Sequence, residues 1–234
     1  MYEAVHARPA GASTVARLAK TAADYGYEGV VVRNCADARA EYDPDGIRDE
    51  YDVDVVAGVE VRTDDPQEAS GAVGNYRTDE TIVAVSGGTT SMNRFAVEND
   101  KVDVLSHPMA DDGDVNHVLA KAALENGVRL EFDLSRVLGE HGGGRVREIQ
   151  GLRKLYEIVD HYGTPHVVSA TPTSHLEFRA PRELAALGER IGLPGEFVED
   201  GLAEWGRLAE RNRRVQSESF IEPGVERGRY EEKH

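Results

Sequence analysis

One cysteine in 234 residues, Cys35, has no second thiol within the chain to pair with, so a disulfide framework and a cysteine-based zinc site are both excluded. It reads as a small buried hydrophobe that follows a strand. Lysine is nearly as scarce, with five among 27 basic side chains, against 43 acidic ones and a formal net charge of −16. Few lysines, many carboxylates and modest hydrophobicity describe the solvated surface of a protein from a high-salt cytoplasm, so the charge reports habitat more than choice of partner. At 1 M salt the Debye length is about 3 Å, and any contact with RNA must then be short-range. No apolar run approaches the ~20 residues of a membrane span, and Met1-Tyr2-Glu3-Ala4-Val5-His6 lacks the basic and apolar regions of a signal peptide. A cytoplasmic protein is the expectation.

Several catalytic signatures are missing too. Gly87-Gly88 is not followed by the Gly-Lys-Ser/Thr of a phosphate-binding loop, and there is no nucleophile elbow, dinucleotide fingerprint or His-Glu-x-x-His. What is present is a βαβ pattern. Thr81–Val85 is a β-branched run that predicts a buried strand, Gly87-Gly88 allows a sharp turn, and Thr89, Thr90 or Ser91 can cap a helix whose first turn holds Asn93 and Arg94. Free N–H groups and a cation there favour an anion such as phosphate. Asp103–Ser106 is the next strand, and ligands of parallel sheets bind where Gly87, Gly88, Arg94 and His107 would sit, at the strands' carboxyl ends.

The same alternation runs along the chain. Strands are predicted at 2–6, 29–32, 53–61, 128–134 and 165–170, and helices at 14–25, from Pro66, and at 115–126, 145–161, 181–191 and from Pro194 towards Arg214. The segment 41–65 carries ten acidic residues against Arg48 and Arg62, and its flanks read as solvated loops. Gly139–Gly144 reads as a flexible loop. Seven strands alternating with helices predict one irregular (β/α) barrel, TIM-like, over residues 1–215, with a polar tail at 216–234.

Two kinds of chemistry fit such a barrel. His6, Glu60, His107, Glu131, Asp133 and His166 lie near strand ends and are imidazole and carboxylate groups able to bind Zn²⁺ or Mn²⁺ for hydrolysis. Phosphoesterase barrels of the polymerase and histidinol phosphatase type open with His-x-His, however, whereas this chain has Ala4-Val5-His6. Alternatively the surface meets RNA. Arg94, Arg179 and Arg182 each follow a strand and lie close to a helix start, and Arg207, Arg211, Arg213 and Arg214 stand against one glutamate, Glu210, in Gly206–Arg214. Ion pairing with the abundant carboxylates, or favourable placement at a helix carboxyl end, explains the same arginines without RNA.

Three segments in register carry a resemblance: Gly87-Gly88 with Asn93-Arg94-Phe95-Ala96-Val97-Glu98 and Val102-Asp103-Val104-Leu105-Ser106-His107-Pro108; Val115-Asn116-His117-Val118-Leu119-Ala120-Lys121-Ala122-Ala123; and Phe178-Arg179-Ala180-Pro181-Arg182-Glu183-Leu184. Together they resemble the archaeal ribonuclease P protein component 3 family, relatives of the thirty-kilodalton eukaryotic subunit. The resemblance implies a barrel related to metal-dependent phosphoesterases but carrying no catalytic residues and no metal or other cofactor of its own. It would act within a ribonucleoprotein that removes the 5′ leader of precursor tRNA, where the RNA holds the active site and its Mg²⁺. It implies as partners the ribonuclease P RNA, a smaller subunit of RRM-like fold, other subunits and, through the assembly, precursor tRNA. Carried onto matching positions, Arg94, His107, His117, Lys121, Arg179 and Arg182 become candidates for RNA contact, with Arg207, Arg211, Arg213 and Arg214 second to them. The alternative is a stand-alone metal-dependent phosphoesterase of the same barrel superfamily.

Overall fold

The computed structural model describes residues 1–217, 220–222 and 225–226. Its elements in order are β1 (Tyr2–Val5), α1 (Val15–Asp24), β2 (Gly29–Val32), α2 (Pro44–Tyr51), β3 (Asp54–Val61), α3 (Pro66–Tyr76), β4 (Ile82–Ser86), α4 (Thr90–Val97), β5 (Val104–Ser106), α5 (His117–Asn126), β6 (Arg129–Asp133), α6 (Ser135–Gly139), α7 (Gly142–Tyr162), β7 (His166–Ser169), α8 (Pro181–Ile191), α9 (Gly195–Gln216), β8 (Phe220–Glu222) and β9 (Val225–Glu226). The seven strands β1 to β7 pair in chain order, every pairing parallel, and the helices between them cover the outside. This is the expected barrel, with seven strands in its sheet among the described residues.

Local chemistry explains most boundaries. The Thr89 hydroxyl accepts from the Met92 N–H and starts α4, and Asn116 does the same for α5 through Val118 and Leu119. Gly127 ends α5 at φ +68, a left-handed position that costs glycine nothing. Two expectations fail. The acidic stretch before β3 holds α2, nucleated by the Asp43 cap and Pro44 and anchored by one buried side chain, Ile47, too little apolar pattern to register as a helix. The glycines 142–144 are the first turn of α7, with α6 before them, because α7 is held by the buried Leu152, Leu155 and Val159 further along. Of the tail placed at 216–234, Gln216 ends α9, Ser217 caps it, and β8 pairs antiparallel with β9; 218–219, 223–224 and 227–234 lie outside the described residues.

No ladder joins β7 to β1. The seam is crossed instead by the N–H of His6 donating to Pro172 O (3.2 Å), the N–H of Ala12 to Thr173 O (2.8 Å), and the N–H of Ala170 to the Glu3 carboxylate (2.9 Å). Helix α9 crosses the amino-terminal end of the barrel. Its Glu204 accepts from Arg129 of β6, its Asn212 side chain reaches Thr81 O and Asp103, and its Arg213 pairs with Asp54 of β3. That end is thereby closed. The carboxyl end of the strands stays open.

Candidate functional site

Inward positions of the barrel form two layers. In the lower one Ala4, Val31, Val56, Ile82, Ala84, Val104 and Val167 pack on Trp205, Leu208 and Ala209 of α9. The upper one begins two residues further on, at His6 and Arg33 just past the ends of β1 and β2, and takes Glu60 from β3, Ser106 from β5, Glu131 from β6 and Ser169 from β7, all buried. Arg33 and Glu131 come from strands separated by three others, so their ion pair spans the lumen. The guanidinium grips Glu131 with both ends (2.9 and 2.8 Å), approaches Glu60 at 3.8 Å, and lies over the Trp205 ring at 5.6 Å from its centroid.

The electrostatics follow from that cation. Burial would lower the pKa of Arg33, but Glu131 and then Glu60 outweigh it and keep the guanidinium charged. Burial would raise Glu60, yet Arg33, with Arg62 beyond it, holds its carboxyl down at about 2. Ser106 donates to Glu60 at 3.3 Å and Arg62 at 2.9 Å. His6, 3.5 Å from Glu60, is pushed down to about 4, first by burial and then by Arg33, and stays neutral near pH 7. His107 stands with Nε2 3.9 Å from Glu60 and Nδ1 3.5 Å from Asp133.

Above this layer opens a cavity of about 420 Å³, its walls including His6, Arg62, His107, Asp133, Arg136, Thr171 and Arg179. Two non-glycine residues of its wall sit in left-handed backbone, His107 at φ +50 and Thr171 at φ +40. Each follows a strand end and is turned by it into the mouth.

The set proposed for metal is only partly assembled. His6, Glu60, His107, Glu131 and Asp133 converge, but His166 opens β7 at the other end of that strand, stacked on Phe197 with Nε2 3.0 Å from its carbonyl oxygen. A divalent ion does not fit the rest. Arg33 already supplies the positive charge between Glu60 and Glu131, Ala4 stands where a second first-strand imidazole would be, and among the described residues no three His, Cys, Asp or Glu side chains are placed to hold an ion.

The candidates for RNA contact are spread over the surface. His107 and Arg179 line the mouth. Arg94 lies on α4 and pairs with Glu98 at 2.8 Å; His117 and Lys121 are exposed on the neighbouring α5, Lys121 over the ring of Tyr162; Arg182 is exposed in the first turn of α8. Asn93, expected beside an anion, is buried: its side chain donates to Pro108 O and Asp114 O and accepts from the N–H of Gly88, locking the glycine turn. A Cβ on Gly87 would meet that side chain at 2.1 Å, and Gly88 has φ +100, so both glycines serve the turn. Arg213 is engaged with Asp54, and Arg207 with Asp200 and Glu204, while Arg211 and Arg214 are exposed. Arg33, Arg62 and Arg136 were not singled out from the sequence. For Arg33 the signal was there, since it shares the inward parity of Val31 and extends a buried run.

Fold and site together define an irregular seven-stranded (β/α) barrel in which a buried arginine takes the central place between carboxylates. The same barrel is seen in histidinol phosphate phosphatase of Lactococcus lactis, solved with zinc, histidinol and phosphate (TM-score 0.58, 10% identity, covering 82% of this chain and 94% of that one). A closer fit in shape is a chain of the cryo-EM structure of archaeal ribonuclease P with mature tRNA, at TM-score 0.81 and 23% identity over 99% and 100% of the two chains. The family model described as RNase P subunit p30 matches residues 1–217. The ribonuclease P protein component 3 of Haloarcula marismortui is 61% identical over 96% of each chain, and that of Natronomonas pharaonis is 60% identical over 96% of this chain and 94% of its own. The chain belongs to the RNase P subunit p30 family.

Proposed function

We propose that this chain is a protein subunit of ribonuclease P that supports the catalytic domain of the RNA, with cleavage of the precursor tRNA leader carried out by the RNA and its Mg²⁺. The observation that supports the reading most directly is similarity along nearly the whole chain, at 61% identity, to a component of that ribonucleoprotein from a halophilic archaeon. The upper layer agrees with it. A barrel whose carboxylates are neutralised by Arg33 has a use other than holding a hydrolytic ion. The partners that follow are the RNA, a smaller subunit of RRM-like fold and further subunits, in the cytoplasm of a salt-adapted cell. No helix among the described residues is long and apolar enough to cross a membrane.

Arg94, His117 and Lys121 on the adjacent α4 and α5, together with Arg182, form the outer part of the proposed RNA surface, and His107 and Arg179 its part at the mouth. The test is cleavage of a precursor tRNA at high salt with Mg²⁺, comparing the cognate RNA and small partner with and without this chain, and the chain alone. Cleavage that rises on adding the chain only when RNA and partner are present is the expected result. Cleavage by the chain alone, lost on chelation and restored by metal, overturns it.

A further inference from the structure

The mouth itself has a more specific chemistry than a general RNA surface. Its rim carries Arg62 from the end of β3, Arg136 from α6 and Arg179 from the segment before α8, three separate elements that bring guanidinium groups to one cavity in a chain with a net charge of −16. Their engagements differ. Arg62 holds Glu60 at 2.9 Å and Arg136 holds Glu148 at 3.1 Å, each leaving other N–H groups to the mouth. Arg179 donates only to the backbone carbonyls of Glu177 and Phe178 and has no carboxylate partner among the described residues. An arginine left without a carboxylate partner beside so many carboxylates is a place for an anion.

Below the rim the lining is polar and built. His6, His107, Asp133 and Thr171 face the cavity, and beneath His6 lies the fully buried Glu60, whose Oε2 is 3.5 Å from the ring and accepts no hydrogen bond among the described residues. The left-handed His107 and Thr171 mark the same walls, and backbone held in sparsely populated regions gathers at ligand sites. The cavity, about 420 Å³, lies within the ~300–1,000 Å³ of small-ligand sites and is far larger than a phosphate needs. A ligand that satisfies both levels is anionic at one end and offers N–H groups at the other.

We propose that the barrel mouth takes one unpaired nucleotide of a single-stranded RNA segment, its phosphate on Arg62, Arg136 and Arg179 and its base directed towards His6 and Asp133 in the cavity wall. This rests on the reading of the chain as an RNA-binding subunit and adds where, and in what conformation, one residue of the RNA is held. Single-stranded segments are the form of RNA whose bases can be splayed out and read along their edges. The contact is short-range, as it must be where salt removes steering at a distance.

The experiment uses the full chain at high salt with a fluorescently labelled single-stranded hexaribonucleotide, and uridine 5′-monophosphate and inorganic phosphate as competing probes. Expected are binding of the hexamer, displacement by the mononucleotide at higher concentration than unlabelled hexamer requires, and little displacement by phosphate. Arg136→Ala with Arg179→Ala lowers hexamer affinity about tenfold or more, in the range of lost charge-assisted contacts to one phosphate. Leu138→Trp, which fills the mouth while keeping every arginine, does the same, whereas Lys20→Ala with Arg190→Ala, exposed cations of α1 and α8 outside the mouth, leaves hexamer affinity unchanged. Melting curves of each variant confirm folding. Absence of hexamer binding in the wild-type chain, binding indifferent to the rim pair and to Leu138→Trp, or full displacement by phosphate at the concentration of mononucleotide overturns the proposal. The subunit reading is separable, since it is judged by the chain's effect on cleavage in the reconstituted ribonucleoprotein, which can succeed while hexamer binding fails.

Discussion

The two ends of the lumen are built from the same strands, a few residues apart, with opposite chemistry. Val31 faces Trp205 in a layer without charge; Arg33, next on the same inward face, faces Glu60 and Glu131. The lower layer is what any barrel of this size requires, large apolar side chains filling the space to close-packed density. Nothing about folding requires the upper one. Taking three charges out of water costs several kcal/mol per ion before the ion pairs repay it, and a well-packed apolar replacement of such a cluster is often neutral or stabilising. The difference shows where folding sets the residues and where something else does. A further contrast lies in the seam, where Glu3 is buried like Glu60 but has no guanidinium beside it, and burial pushes its pKa up to about 8 against the pull of the Ala170 N–H.

The largest effect is expected from removing the cation that the layers share. Arg33→Met leaves Glu131 buried with no cation beside it and Glu60 with Arg62 alone, and should cost about 3–5 kcal/mol, as breaking a buried pair does. Adding Glu60→Gln and Glu131→Gln to that variant should return much of the loss. Chemical denaturation of the three proteins checks it, and a triple variant no more stable than Arg33→Met would show that Arg33 acts through packing on Trp205 and not through charge. In the lower layer Trp205→Ala is expected to cost about 3–5 kcal/mol by cavity formation alone. That cost should be independent of pH between 5 and 8, because no titrating group is released with it.

The pH dependence of stability separates the two kinds of buried carboxylate. Glu60 titrates at about 2 in the folded chain and near 4.5 unfolded, so its contribution is present above about pH 4.5 and lost as the pH falls towards 2. His6, lowered to about 4 from 6.5, adds a loss that begins earlier, as the pH falls from 6.5 to 4. Glu3 has the opposite sign. Its folded pKa lies above the unfolded one, so its contribution is present below about pH 4.5 and lost as the pH rises towards 8. Glu3→Gln keeps an acceptor for the Ala170 N–H and should remove the loss of stability on the alkaline side, leaving the acid side as it was. A wild-type curve flat from pH 5 to 8.5 would mean that Glu3 ionises at no cost.

The strands and most helices were legible because their signals are local: β-branched runs such as Val30-Val31-Val32, caps such as Thr89 and Asn116, and stops such as Gly127. Helix α2 was not, since one apolar anchor, Ile47, gives no period to read. The upper layer was half legible. His6, Glu60, His107, Glu131 and Asp133 were grouped correctly by their places at strand ends, but the group's meaning depends on Arg33, whose partner Glu131 is 98 residues away and reaches it only across the lumen. Asn93 shows the converse error. Its place in the first turn of α4 suggested an exposed anion site, while the fold turns it inward to hold a loop 15 and 21 residues further on. Periodicity reports which face is buried and not which distant group fills it.

The smallest effect on stability is expected on the outer surface, and it sharpens the contrast with the lumen most economically. Arg94 and Glu98 form an exposed pair one helical turn apart, 2.8 Å between nitrogen and oxygen, with the arginine side chain 69% and the glutamate 49% accessible. Such pairs contribute about 0.3–0.5 kcal/mol, less at high salt, so Arg94→Ala should leave the melting temperature within a degree or two. An arginine that adds almost nothing to folding, on a surface where carboxylates outnumber cations, either meets a phosphate in the assembled ribonucleoprotein or serves no contact at all. Affinity of the chain for ribonuclease P RNA in the presence of the small partner decides between them: a several-fold loss with Arg94→Ala at unchanged stability places α4 at the RNA, and unchanged affinity leaves the RNA surface to α5, α8 and the mouth.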